Sequence, residues 1–140
     1  MGAEAYKKRQ RTIYALVFEG ERACYIGQTV DPKRRYQQHK APSGGWLGQF
    51  SMVELHTFQG TKSDGEALEY AYRLKAVRHR WRVYGLPNVI INPKRNATWA
   101  HWRRSWSLPW PSRLAYPFWL WGVAAFAAAS YLAFAWWWHA

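Results

Sequence analysis

The chain has 140 residues, room for one compact domain and an appendage, and sets 20 Lys and Arg against 8 Asp and Glu, a formal net charge of +12. That excess points to a polyanionic partner, nucleic acid or an anionic membrane surface, and the single cysteine, Cys24, excludes an intramolecular disulfide and a cysteine-rich zinc site. Every basic residue lies at or before Arg113 and the last acid is Glu69, so residues 70–113 carry ten Lys or Arg and no carboxylate.

Residues 1–11 read as a solvated basic arm, without the apolar run of a signal peptide; Met1-Gly2 is a weak acylation signal because Tyr6 stands where Ser or Thr is wanted. Residues 12–18 (Thr-Ile-Tyr-Ala-Leu-Val-Phe) and 22–27 are short runs rich in β-branched and aromatic residues, joined through Glu19-Gly20-Glu21, and predict a β-hairpin in which Cys24 is a small apolar strand residue. Asp31 and Pro32 then start a helix over residues 32–39, one as cap and the other as a first-turn residue with no amide to leave unpaired. A loop over 41–45 precedes a third strand over 49–58. A turn over 60–65, with Ser63 or Asp64 as cap, starts a helix over 65–81 whose stripe is Ala67, Ala71, Leu74, Val77 and Trp81. Gly85-Leu86-Pro87 ends it, residues 88–91 form a short extended piece, and residues 92–96 are turn-like and basic. The elements give an α+β domain: a small, mostly antiparallel three-stranded sheet flanked by helices, over residues 12–97.

Composition changes at residue 98, since nine of the 11 Trp lie at or after Trp99. A Trp- and Arg-rich linker over 98–113 leads to residues 114–138, which carry no formal charge and as a helix would reach about 37 Å, enough for a hydrocarbon core of roughly 30 Å. Trp119 and Trp121 near one end and Trp136, Trp137 and Trp138 near the other match interfacial belts, while Arg103, Arg104 and Arg113 lie just outside. The expectation is a transmembrane helix in the lipid bilayer with the preceding domain in the cytoplasm; the alternative is an amphipathic or buried helix docked on that domain, which leaves the protein simply cytoplasmic.

The informative order is Thr12-Ile13-Tyr14, ten residues, then Tyr25-Ile26-Gly27, followed by Arg35 and, one turn on, His39. Two tyrosines on paired strands would alone read as cross-strand packing. The full order, with Glu69 on a later helix and Asn92 beyond, resembles the GIY-YIG nuclease family over residues 12–92, with Thr12 standing where the family has its first glycine. The resemblance implies an endonuclease that hydrolyses phosphodiester bonds in DNA with Mg²⁺ or Mn²⁺ and needs no small-molecule cofactor. It implies Tyr14, Tyr25, Arg35, His39, Glu69 and Asn92 as the catalytic set, with the metal on Glu69. Glu66, one turn earlier, remains the alternative for the metal, and Asn88 for Asn92.

One glutamate can suffice, because Mg²⁺ keeps several of its waters. Arg35 suits a phosphate, since its planar guanidinium stays charged and donates in parallel pairs. Lys33, Arg34, Lys40, Arg73, Arg78, Arg80 and Arg82 are the candidate contacts to the nucleic-acid backbone. The competing reading is a membrane-tethered nucleic-acid-binding module on the same scaffold, without catalysis.

Overall fold

A computed structural model describes residues 6–139. Strands β1 (Arg9–Phe18) and β2 (Ala23–Thr29) form the expected hairpin, turned by a 3₁₀ segment at Glu19–Glu21 and by Arg22 in the left-handed region. Helix α1 (Pro32–Lys40) begins as the sequence predicts: the Asp31 carboxylate accepts from the Arg34 amide at 3.0 Å, and Pro32 fills the first turn. Strand β3 (Ser51–Gly60) returns antiparallel to β1. Helix α2 (Lys62–Arg78) follows, its start fixed by a capping box in which Thr61 and Asp64 each accept from the other's backbone amide. The cap is therefore Thr61, ahead of the expected Ser63 or Asp64.

The sheet has five strands, in the order β3-β1-β2-β4-β5, where three mostly antiparallel ones were expected. Strand β4 (Arg82–Leu86) lies parallel to β2, and β5 (Val89–Ile91) folds back against it. The difference originates at the end of α2, which stops at Arg78 and does not run to Trp81. Arg80 adopts φ 67°, its amide bonds the Val77 carbonyl at 3.0 Å, and the Trp81 amide bonds the Ala76 carbonyl at 3.0 Å. That pairing is a Schellman stop, usually marked by glycine at the left-handed position; here an arginine occupies it, so nothing in the sequence announces the end.

β1 is buried from Arg11 to Phe18 because both faces of the sheet are covered. Ile13, Ala15 and Val17 face α2, joining Leu68, Tyr72, Ala76 and Trp81; Tyr14, Leu16 and Phe18 face the other way, joining Tyr84, Trp46 and Phe50. Of the expected stripe, Ala71, Leu74 and Trp81 are buried and Val77 packs against the core, while Ala67 is exposed; Leu68, Tyr72, Lys75 and Ala76 widen the buried face of α2. Of the expected basic arm, Arg9–Arg11 belong to β1, and residues 1–5 lie outside the described residues.

Residues 98–114 pack on the domain. Helix α3 (Trp99–Ser107) lies along α2, where Lys75 donates its ammonium to the Trp106 carbonyl at 3.3 Å. Trp110 stacks on His79, and Leu114 enters the core at 3% exposure, its carbonyl accepting the Trp81 indole N–H at 2.8 Å. Helix α4 (Trp119–His139) then leaves the domain. Over the most apolar 18 residues within Trp119–Trp138 the mean hydropathy is 1.4, and none of that stretch is buried against the chain.

Candidate active site

Register brings the two tyrosines together. Tyr14 pairs with Gly27 and Tyr25 with Leu16, so both phenols stand on one face with ring centres 6.3 Å apart. Gly27 makes this possible, because a Cβ there would lie 2.6 Å from the Tyr14 hydroxyl and 2.9 Å from the Tyr25 ring. Tyr14 is 1% exposed; Tyr25 is half-buried.

Helix α1 supplies the next two groups from one face. The His39 Nε2 is 2.8 Å from the Tyr14 hydroxyl, and its ring centre is 5.7 Å from those of both tyrosines. Arg35, one turn earlier and exposed, donates to the Gln38 side-chain oxygen at 3.2 Å. From α2, Glu69 approaches the end of β2, with its side chain 16% exposed and Arg73 3.8 Å away.

Tyr25, Arg35, Glu66 and Glu69 line one hollow of about 340 Å³, together with Arg11, Gln28 and Lys62. A larger hollow of about 590 Å³ opens at the far end of the hairpin, between Glu19, Glu21 and Arg113. It contains no tyrosine or helix carboxylate from the motif, so size does not identify the site.

Electrostatics divide the groups. Burial, then the neighbouring Tyr25, hold the Tyr14 phenol far above its usual range, and Arg35 opposes them. Burial and Glu69 raise Tyr25, against Arg35 and Arg73. Burial also raises Glu69, against Arg73 and the Gln28 amide. His39 is lowered by burial and by Arg35, which favours the neutral ring.

No group of three or more His, Cys, Asp or Glu able to hold a metal occurs among the described residues. The donor set therefore does not fit zinc or an all-protein calcium cage. It does fit a cation that keeps most of its waters: Glu69 is a partly desolvated carboxylate facing an open polar hollow, with Glu66 one turn away on the same hollow.

The remaining expected residues separate into groups. Lys33, Arg34 and Lys40 are exposed on α1, with Arg34 lining the hollow that adjoins Arg35. Arg73 faces Glu69. Arg78, Arg80 and Arg82 lie elsewhere: Arg78 sits over Trp106, Arg80 over Tyr116, and Arg82 donates to the Glu21 carbonyl. Asn92 caps the turn at Pro93–Asn96, accepting from the Lys94 amide at 3.1 Å, and does not line the hollow. Asn88 instead bonds the loop at Gly45 and Leu47.

Arg11, Gln28 and Lys62 line the hollow and are not singled out by the sequence. Arg11, in the expected basic arm, is buried in β1 with Nε donating to the Gly60 carbonyl at 3.1 Å. Gln28 directly follows the Tyr-Ile-Gly tripeptide and Lys62 directly follows the α2 cap; their places are readable in the sequence, their convergence is not.

A family model described as the GIY-YIG catalytic domain matches residues 10–82. No curated protein and no solved structure matches the chain. The matched span covers just over half of the chain, runs from β1 to the first residue of β4, and contains both tyrosines, Arg35, His39 and Glu69, so the chain belongs to the GIY-YIG nuclease family.

Proposed function

We propose that this chain is a divalent-cation-dependent endonuclease that hydrolyses phosphodiester bonds in DNA, held at a membrane by α4 with its catalytic domain in the cytoplasm. The observation that carries the reading is the convergence of Tyr25, Arg35 and Glu69 from three separate elements on one hollow, with Tyr14 beside Tyr25. Hydrolysis forms a bond from water oxygen to phosphorus and breaks the bond to the leaving oxygen; the water loses a proton and the leaving oxygen gains one. Arg35 is placed to hold the phosphate through paired N–H bonds that strengthen as charge grows on its oxygens. Tyr14 orients the water and, as phenolate, takes its proton; since burial resists ionisation, the positive charge of Arg35 is essential to that role. Tyr25 supports the phosphate or the water, and His39 holds the Tyr14 oxygen.

Glu69, with Glu66 behind it, would hold Mg²⁺ or Mn²⁺, which when bound supplies charge stabilisation at the phosphate and acidifies water. Arg34, Lys33 and Lys40 extend the positive field of Arg35 along α1 toward a nucleic-acid backbone.

The test is nicking of supercoiled plasmid by the full chain in detergent with Mg²⁺ or Mn²⁺. Arg35→Ala is expected to lose at least about 100-fold in rate with the circular dichroism spectrum unchanged. Arg35→Lys should not restore it, because a point charge cannot replace a planar fork. Undiminished cleavage by Arg35→Ala would sink the reading. Salt-sensitive DNA binding without cleavage under any divalent ion would favour the non-catalytic module.

The membrane part rests on α4, whose apolar stretch would span about 30 Å as a helix, with tryptophans at both ends. Arg22 and Arg80 lie over the Tyr116 ring just before it, a cationic and aromatic collar suited to headgroups. Removing residues 119–139 is expected to release the protein from the membrane fraction. A truncated chain that stays membrane-bound would remove α4 as the anchor.

A further inference from the structure

The loop between α1 and β3 places one residue outside the motif against its histidine. The Trp46 indole nitrogen is 3.2 Å from His39 Nδ1, and the opposite ring nitrogen, Nε2, is 2.8 Å from the Tyr14 hydroxyl. An indole N–H can only donate, so Nδ1 must accept and carries no proton. A neutral imidazole has one N–H, which is then on Nε2 and points at the Tyr14 oxygen. An imidazolium would set its Nδ1–H against the indole N–H, so the contact also disfavours the charged ring.

Trp46 is held on two sides. Its ring packs edge-on against Tyr25 and Tyr84 at 5.3 and 5.5 Å and lies 5.1 Å from Phe18. The Asn88 amide, in the β4–β5 turn with φ 62°, donates to the Gly45 carbonyl at 2.8 Å and accepts from the Leu47 amide at 3.3 Å. One asparagine thus clamps the backbone on either side of Trp46.

We propose that Trp46, seated by Asn88, fixes His39 as its Nε2–H tautomer, so that His39 donates to the Tyr14 oxygen and is a positioning residue, not a base that takes the tyrosine's proton. With His39 as donor, the Tyr14 proton must point away from the imidazole ring. The phenolate then meets a ready N–H, and the tyrosine's proton does not leave through His39. The consequence for catalysis rests on the nuclease reading above; the tautomer does not.

The experiment is long-range ¹H–¹⁵N correlation NMR on the full chain in detergent micelles, with ¹⁵N-labelled histidine and His39→Gln to assign the signal. The expected spectrum has a pyridine-like Nδ1 and a protonated Nε2. Trp46→Phe keeps the ring packing and removes the N–H; it should abolish the single tautomer, slow cleavage about tenfold, and shift the acid limb of the pH–rate profile upward as His39 becomes easier to protonate. In a His39→Gln background, where an amide donates to Tyr14 unaided, adding Trp46→Phe should cost no further rate. A protonated Nδ1 in the parent chain, or a tautomer and pH profile unmoved by Trp46→Phe, would overturn the proposal. A parent chain that never cleaves DNA would defeat the nuclease reading while the NMR result still decides the tautomer.

Discussion

Gly27 sits where two phenols meet, and its missing side chain is what lets them share one face of the hairpin. Gly27→Ala forces a methyl into van der Waals overlap with Tyr14, whose burial leaves little room to retreat; the expected cost is about 1–3 kcal/mol with loss of most activity. Urea midpoints and cleavage rates check this, and full activity would show that the phenol can move freely. Glu69 gives a second prediction. Burial raises its pKa in the folded chain, against Arg73 and the Gln28 amide, so between the ordinary carboxylate value and the raised native one the folded state holds a proton that the unfolded state has released. The stability this carries is present below the unfolded value and is lost as pH rises through the native one. In EDTA at neutral pH, Glu69→Gln should therefore raise Tm, with the gain vanishing at about pH 4. Mg²⁺ should then raise Tm for the parent chain but not for the variant. A lower Tm for Glu69→Gln at neutral pH would contradict the burial argument.

At the scale of elements, residues 98–114 form a clasp over α2. Leu114 is almost wholly buried and its carbonyl takes the Trp81 indole N–H, so Leu114→Ala is expected to cost about 2–5 kcal/mol despite lying far from the motif. A urea midpoint unchanged within error would detach the clasp from the core. The hairpin, α1 and β3 are legible in the sequence because their signals are local: β-branched runs, Asp31 before Pro32, alternation. The second part of the sheet is not. Arg80 occupies a left-handed position normally announced by glycine, and β4 pairs in parallel with a strand from the far side of two helices, a non-local choice that no window of sequence records. The same contrast holds in the site. Tyr14, Tyr25, Arg35, His39 and Glu69 are legible through the resemblance of their order to the family's motif, whereas Arg11 and Trp46 make contacts that exist only once the sheet has folded.

Across the whole molecule, two groups of cations bear on the proposed function. Arg35 lines the hollow and Arg34 adjoins it, and Arg22, Arg78 and Arg80 lie over aromatic rings beside the C-terminal segment. In the proposed function the first group meets a nucleic-acid backbone and the second a lipid surface, with α4 between two rows of tryptophan. The first role presupposes that one helix carboxylate, Glu69, serves the phosphodiester chemistry. Single-turnover cleavage of an end-labelled DNA duplex by the full chain puts that to the test, comparing Mg²⁺ with EDTA and the parent with Glu69→Gln. Cleavage should need the cation and fall by at least about 100-fold in the variant. Equal rates for parent and Glu69→Gln in Mg²⁺ would show that this carboxylate has no part in the reaction.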